Sequence, residues 1–278
     1  EKSLSKQKTI KKLVSLEGRG LHTGEYAKIN LLPAPVNTGI KLIKDGLEIP
    51  AKVDFVVETN RRVVLGRDGK NIATVEHLLS AIYAVSISNL LIEVEGEEIP
   101  ILDGSSLPWV NLLKQAGIKE QEVPKDVLEI DKVFSFREGK GEILIFPYEV
   151  FRIISLISFP NTIIKWQKFD FQNLQDYERE IAPARTFGFY SEVEDLMRKG
   201  LIKGGDLDNA LLINEDGFVN PPRFNDEPVR HKILDIIGDF SLLGKELKME
   251  IISLSSGHTL HLKALEFLME YYYKGGVE

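Results

Sequence analysis

No cysteine occurs among the 278 residues of this chain. Its absence excludes disulfides, thiolate nucleophiles and every cysteine-containing zinc site, and it fits a cytoplasmic protein. Histidine is scarce too, with only five: His22, His77, His231, His258 and His261. Any metal site must therefore combine imidazoles from that short set with carboxylates. Long apolar runs are missing. None approaches the roughly 18–20 residues needed to cross a bilayer, and the longest, such as residues 151–159, are strand-sized. No apolar stretch follows the polar, lysine-rich residues 1–12, so no secretory signal is visible. Nor is there a surplus of positive charge. A net charge of -7, with no Arg/Lys stripe interleaved with aromatics, argues against a general nucleic-acid binder. The paired glycines of "GLIKGGDL", Gly204 and Gly205, match neither the dinucleotide-binding nor the phosphate-loop pattern.

What is present is a globular composition, 43% hydrophobic and 28% charged, in a chain long enough for one large domain or two smaller ones. Alternating, Ile/Val/Leu/Phe-rich segments predict strands at residues 26–32, 90–95, 142–146, 151–158 and 249–254. Helices are better punctuated. Thr74 is placed to N-cap a helix running to Val85. "SSLPWVNLLKQAG" offers serine caps, an early Pro108 and a terminating Gly117. Ser191 and Glu194 have capping-box spacing ahead of Gly200. Pro228 opens a helix that Gly244 ends. A last helix runs from about His258 to Tyr273, with Gly275 and Gly276 beyond it. The charged, proline-bearing residues 117–126 form the clearest composition break and predict a boundary between two α+β halves, 1–120 and 126–278.

The helix "EPVRHKILDIIGDF" carries the first chemical signal. At about 100° per residue, His231, Lys232, Asp235 and Asp239 share one stripe, while Val229, Ile233, Ile236, Ile237 and Phe240 occupy most of the opposite side. His231 and Asp235, four apart, can offer a nitrogen and an oxygen to one ion. Alone, such a pair is usually a solvated face. "TVEHLL" offers a third ligand in His77, with Glu76 beside it where a metal-dependent hydrolase needs a base. Catalytic zinc takes three protein ligands and keeps a fourth position open. Asp239, one turn beyond Asp235, can orient a second histidine. His258, in "SSGHTL", reads either as a helix-capping residue or as an acid raised by a carboxylate such as Asp239. His261 reads as a surface or internally satisfied histidine. In "ARTFGF", Thr186 and Phe187 read either as an oxyanion donor and a substrate wall or as a strand end packed in the core. Asp103, in "EIPILDGSS", reads as a turn former.

Together these segments resemble the UDP-3-O-acyl-N-acetylglucosamine deacetylases, the zinc enzymes of lipid A biosynthesis. The similarity runs in order through "EGRGLHTGE", "TVEHLLSAIYAVSISNLLIEVEGEEIPILDGSS", "ARTFGF", "GLIKGGDLDNALL", "RFNDEPVRHKILDIIGDFSLLG" and "SGHTLHLKAL", covering nearly the whole chain. It implies two α+β domains packed as a β-α-α-β sandwich, with the active site between them. It implies one catalytic zinc ion held by His77, His231 and Asp235. Glu76 would activate the zinc-bound water, and Thr186 with the metal would stabilise the oxyanion. His258, paired with Asp239, would protonate the leaving amine. Lys232 would serve at the reacting centre and, with Phe187, contact the sugar. A βαβ insert near residues 189–213 would line an acyl passage with Leu196, Met197 and Leu201, and Gly205 would allow close approach of the substrate. The implied partner is a UDP-linked acylated amino sugar, handled by a cytoplasmic enzyme expected to be monomeric, with no nucleic acid and no membrane span. The alternatives are a related metal-dependent amidohydrolase acting on another N-acyl sugar, and a non-catalytic sugar-nucleotide-binding homologue. Three segments depart from the family pattern: His261 where asparagine is usual, either an extra ligand or a surface change; the proline-bearing "NPPRFNDEP"; and "ETNRRVVLG" at residues 58–66, an unusually basic version of a segment near the substrate entrance.

Overall fold

A computed structural model describes residues 5–274; Gly275 and Gly276, expected beyond the last helix, lie outside the described residues. The first half contributes β1 (Lys6–Ile10), β2 (Val14–Arg19), β3 (Tyr26–Pro33), β4 (Ile40–Lys44) and β5 (Leu47–Pro50). There follow β6 (Val56–Glu58), β7 (Val64–Arg67), β8 (Lys70–Ala73), α1 (Glu76–Ala84), β9 (Leu90–Glu95), α2 (Leu107–Ala116) and β10 (Ile118–Pro124). The second half begins with β11 (Val127–Glu129), β12 (Phe134–Glu138), β13 (Gly141–Pro147), β14 (Phe151–Phe159) and β15 (Lys165–Phe171). It continues with α3 (Tyr177–Glu180), β16 (Phe187–Phe189), α4 (Tyr190–Arg198), β17 (Leu211–Ile213), α5 (Glu227–Phe240), β18 (Glu246–Leu254) and α6 (His258–Tyr273). All five expected strands form.

The order β2-β3-β9-β4-β5 makes one mixed sheet, and β12-β13-β18-β14-β15, with β11 added on β18, makes the other. In β18 every second residue is buried, the period-2 signature of a strand with one face in the core. Helix α2 lies against β2 of the first sheet, α5 and α6 lie against the second sheet, and α1 packs on α2 and on α5, where the helix layers meet. The result is the expected β-α-α-β sandwich around a core shared by both halves. A smaller apolar cluster, Ile157, Ile164, Leu211, Ile213 and Val229, joins β14 to a parallel βαβ unit of β16, α4 and β17. That unit starts at Phe187 rather than Phe189. No helix among the described residues is long and apolar enough to cross a membrane.

Local expectations failed where long-range bonding won. Residues 118–124, within the composition break, form β10, antiparallel to β1, a strand that the charged composition did not suggest and that paired backbone groups stabilise. Thr74 does not cap α1; it holds a left-handed φ of 59°, and its hydroxyl donates to Glu98 Oε2 at 2.5 Å. Ser106 stands at the N-cap of α2 without capping it, its hydroxyl donating instead to His77 O. Ser191 lies inside α4, whose N-cap is Phe189, and makes no capping box. Asp103 does form a turn, accepting from the N–H and hydroxyl of Ser105.

Close approach of α1 and α5 depends on Gly238. A Cβ there would sit 2.2 Å from Glu76 O. Ser80 reinforces the contact by donating to Leu234 O at 2.7 Å. Gly238→Ala is expected to cost about 1–3 kcal/mol by overpacking and to push Glu76 out of place. A lower thermal midpoint with reduced turnover checks this; an unchanged midpoint contradicts it.

Candidate active site

Helix α1 begins with Glu76 and His77, and α5 carries His231, Asp235 and Asp239 on the face turned toward it. The seam brings His77 and His231 into edge-to-face contact, ring centroids 4.8 Å apart. Asp235 Oδ1 lies 3.4 Å from His77 Nε2 and 3.6 Å from His231 Nε2. One ligand atom from each of the three residues falls within 4.8 Å of the others. Ligands about 2.1 Å from a tetrahedral zinc lie about 3.4 Å apart, so these separations suit one small cation.

The chemistry of the donors agrees. His231 Nδ1–H donates to Ala184 O at 2.9 Å, which fixes the tautomer and leaves Nε2 free for a metal. Burial, helped by the nearby His77, overcomes the attraction of Asp235 and lowers the His231 pKa to about 4, so the ring is neutral as a ligand must be. Burial alone would raise the Asp235 carboxyl, yet His231, His77 and His258 hold it well below the ordinary range. His77 is also buried, but Asp235 and Glu76 outweigh the burial and raise it. The field of the site favours positive charge at this point. Asp235 Oδ1 is buried and makes no hydrogen bond among the described residues, as expected of an atom reserved for a cation. The residues present fit a zinc ion.

Glu76 stands beside this group. Its Oε2 accepts from Val63 N–H at 3.1 Å, and its Oε1 lies 3.8 Å from His258 Nε2. Burial is the main cause that raises its pKa, with His258 and His77 opposing. His258, the first residue of α6, takes Gly257 as its N-cap and so is not itself the cap. Its Nδ1 is 2.6 Å from Asp239 Oδ2. Burial disfavours the imidazolium, but Asp239, Asp235 and Glu76 outweigh it and raise the ring to about 10.

A cavity of about 750 Å³ opens onto this group, lined by His231, Lys232, Asp235 and His258. Thr186, Phe187, Gly205, Leu196 and Met197 also line it. Lys232 Nζ lies 5.8 Å from the Phe187 ring centroid. Leu201 does not line the cavity; Ile202 takes that place. Gly200 at φ 72° ends α4 and ties Leu201 N–H back to Leu196 O, closing a Schellman motif. Ile202, at φ 50°, is the residue that follows this turn.

Thr59 and Arg61, from the basic segment expected near the substrate entrance, line the wall, as do Leu21, His22 and Phe159, which the sequence did not mark as site residues. The loop carrying His22 is anchored by Glu98, 1% exposed, which accepts from the N–H groups of His22 and Thr23 and from the Thr23 hydroxyl. "GLHTG" marked that loop but carried no geometric cue to what it faces. His261, expected at the surface or internally satisfied, is buried and satisfied.

A family model for UDP-3-O-acyl N-acetylglycosamine deacetylase matches residues 7–270. The UDP-3-O-acyl-N-acetylglucosamine deacetylase of Myxococcus xanthus is 42% identical over 270 residues, covering 95% of this chain and 86% of that protein. Its counterpart from Thermodesulfovibrio yellowstonii is 41% identical over 268 residues, covering 95% and 92%. A bifunctional LpxC/FabZ enzyme of Porphyromonas gingivalis is 38% identical over 292 residues, covering 94% of this chain and 63% of that protein.

Proposed function

Since the chain belongs to the UDP-3-O-acyl-N-acetylglucosamine deacetylase family, we propose how its own residues divide the work of that hydrolysis. The activity is zinc-dependent removal of the N-acetyl group from UDP-3-O-acyl-N-acetylglucosamine, releasing acetate, in lipid A biosynthesis. The observation that carries the assignment is the convergence of His77, His231 and Asp235 in one buried cluster. Those three residues would hold a zinc ion, which when bound would supply Lewis-acid chemistry, polarising the acetamide carbonyl and making water more acidic.

Glu76 takes the proton from the attacking water at Oε1, the oxygen left free by the Val63 N–H bond. The Thr186 hydroxyl donates to the oxyanion as the carbonyl carbon becomes tetrahedral. As the carbon–nitrogen bond breaks, His258 Nε2–H gives its proton to the departing amine, while Asp239 holds the opposite edge of the ring. The products are acetate and the free amine of the UDP-linked sugar. Lys232 and Phe187 contact the sugar. Gly205 leaves room for its approach, and Leu196, Met197 and Ile202 line the path of the acyl chain. The division into domains 1–120 and 126–278 is supported by the first sheet drawing only on residues 14–50 and 90–95 and the second only on 127–171 and 246–254. A cytoplasmic location fits the cysteine-free composition, and a monomer fits a site built wholly within one chain.

Acetate release from the UDP-linked acyl sugar tests the reading. Turnover should vanish on complete chelation and return with zinc, and a substrate lacking the O-acyl chain should turn over less well. Activity that survives metal removal rejects the metal role. Equal turnover of both substrates favours an amidohydrolase for another N-acyl sugar.

A further inference from the structure

Asp239 has a second partner besides His258. Its Oδ2 lies 2.6 Å from His258 Nδ1 and also 2.6 Å from His261 Nδ1. Its Oδ1 is buried with no hydrogen-bond partner among the described residues. On its far side, His261 Nε2 lies 2.7 Å from Ser256 Oγ, which is 2.5 Å from Ser253 Oγ. His261 is 1% exposed, Ser253 2% and Ser256 5%, so bulk water does not compete for these bonds.

One direction of donation satisfies the whole chain. An ionised carboxylate only accepts, so both Nδ1 atoms carry hydrogen. Burial keeps His261 in its neutral form, which leaves Nε2 as an acceptor. Ser256 O–H then donates to His261 Nε2, and Ser253 O–H donates to Ser256. The series runs from Ser253 through Ser256 and His261 into Asp239, where it meets the bond from His258.

The consequence is orientation. A carboxylate with one donor can rotate and offer either oxygen, and here Oδ1 has no bond to hold it. His261 removes that freedom by fixing Oδ2 from a second side. It lies three residues after His258 on α6, so both rings project from one face, with centroids 6.1 Å apart. The edge of His261 is packed in turn against Phe240, centroids 6.1 Å apart.

We propose that His261 is a positioning residue for the proton donor: it locks the Asp239 carboxylate, and through it the His258 ring whose Nε2 faces the reacting nitrogen. The proposal rests on the assignment of His258 as the donor to the leaving amine. Ser256 and Ser253 act only by holding His261 in the required tautomer.

The test compares His261→Leu, which fills the space without a donor, with His261→Asn, whose amide nitrogen can stand where Nδ1 stands. Both are assayed as zinc-loaded full-length enzyme. His261→Leu should lower kcat roughly tenfold to a hundredfold, the size of effect known for partners that orient metal-bound histidines, with little change in KM. His261→Asn should recover most of that loss. In a His258→Gln background, His261→Leu should add less than about twofold, since residues acting as one unit are not additive. An unchanged kcat in His261→Leu overturns the proposal, as does an equal penalty in both backgrounds, which marks packing alone. If His258→Gln itself leaves kcat intact, the donor assignment fails and the proposal falls with it. Nitrogen-resolved NMR of histidine-labelled, metal-free protein supplies a readout independent of turnover and of how well the leucine variant folds. His261 should be neutral with its proton on Nδ1; a proton on Nε2 instead overturns the proposal.

Discussion

Glu76→Gln is expected to lower kcat by about 10²- to 10⁴-fold, the range for loss of a general base, while metal content stays at the parental level. The substitution is close to isosteric. Its amide oxygen can keep the bond from Val63 N–H that now holds Oε2, so the site should retain its shape and lose only the ability to take a proton. Glu76 is no ligand in this account; His77, His231 and Asp235 supply the donor set. The same residue sets an acid limit on turnover. Burial raises the Glu76 carboxyl above the ordinary range, and a base works only when deprotonated. Activity should therefore fall as pH drops, beginning above the range of an ordinary carboxylate, and the glutamine variant should lose that limb. Retention of near-parental kcat in Glu76→Gln would move the base elsewhere.

Asp235→Ala is expected to act on the other side of that division of labour. Removing one of three ligands should weaken zinc binding by more than about 100-fold, beyond the range seen for outer-shell partners. Turnover should track the residual metal and recover in part when zinc is supplied in excess. The variant also strips His77 of the carboxylate that raises it, so a neutral His77 should persist to lower pH in the metal-free protein. Metal content measured side by side decides the matter: zinc retained in Glu76→Gln and lost in Asp235→Ala supports the division, whereas equal content in both contradicts it.

The sequence displayed the donor set more clearly than the reason for its convergence. His231 and Asp235 were legible because helical spacing fixes their shared face without reference to the rest of the fold. That His77 meets them depends on α1 and α5 approaching closely enough for Gly238 to abut Glu76 O. A glycine inside a helix hints at such an approach, yet the partner cannot be named from one chain alone. Strands with clean alternation were placed well. The errors fell where side chains bond across long sequence distances, as Thr74 does with Glu98, or where a main chain pairs despite charged side chains, as in β10. Leu201 and Ile202 differ in the sequence only by one position, and the Schellman turn after α4, not hydrophobicity, selects between them. His22 was hidden for another reason: its loop faces the cavity only because Glu98, far along the chain, holds its backbone.

Anomalous scattering at the zinc edge from crystals of the zinc-loaded protein would locate the ion itself. One strong peak is expected, bounded by His77 Nε2, His231 Nε2 and an Asp235 carboxylate oxygen, with Glu76 near it but outside bonding distance. A peak elsewhere, or none between these three side chains, would contradict the assignment.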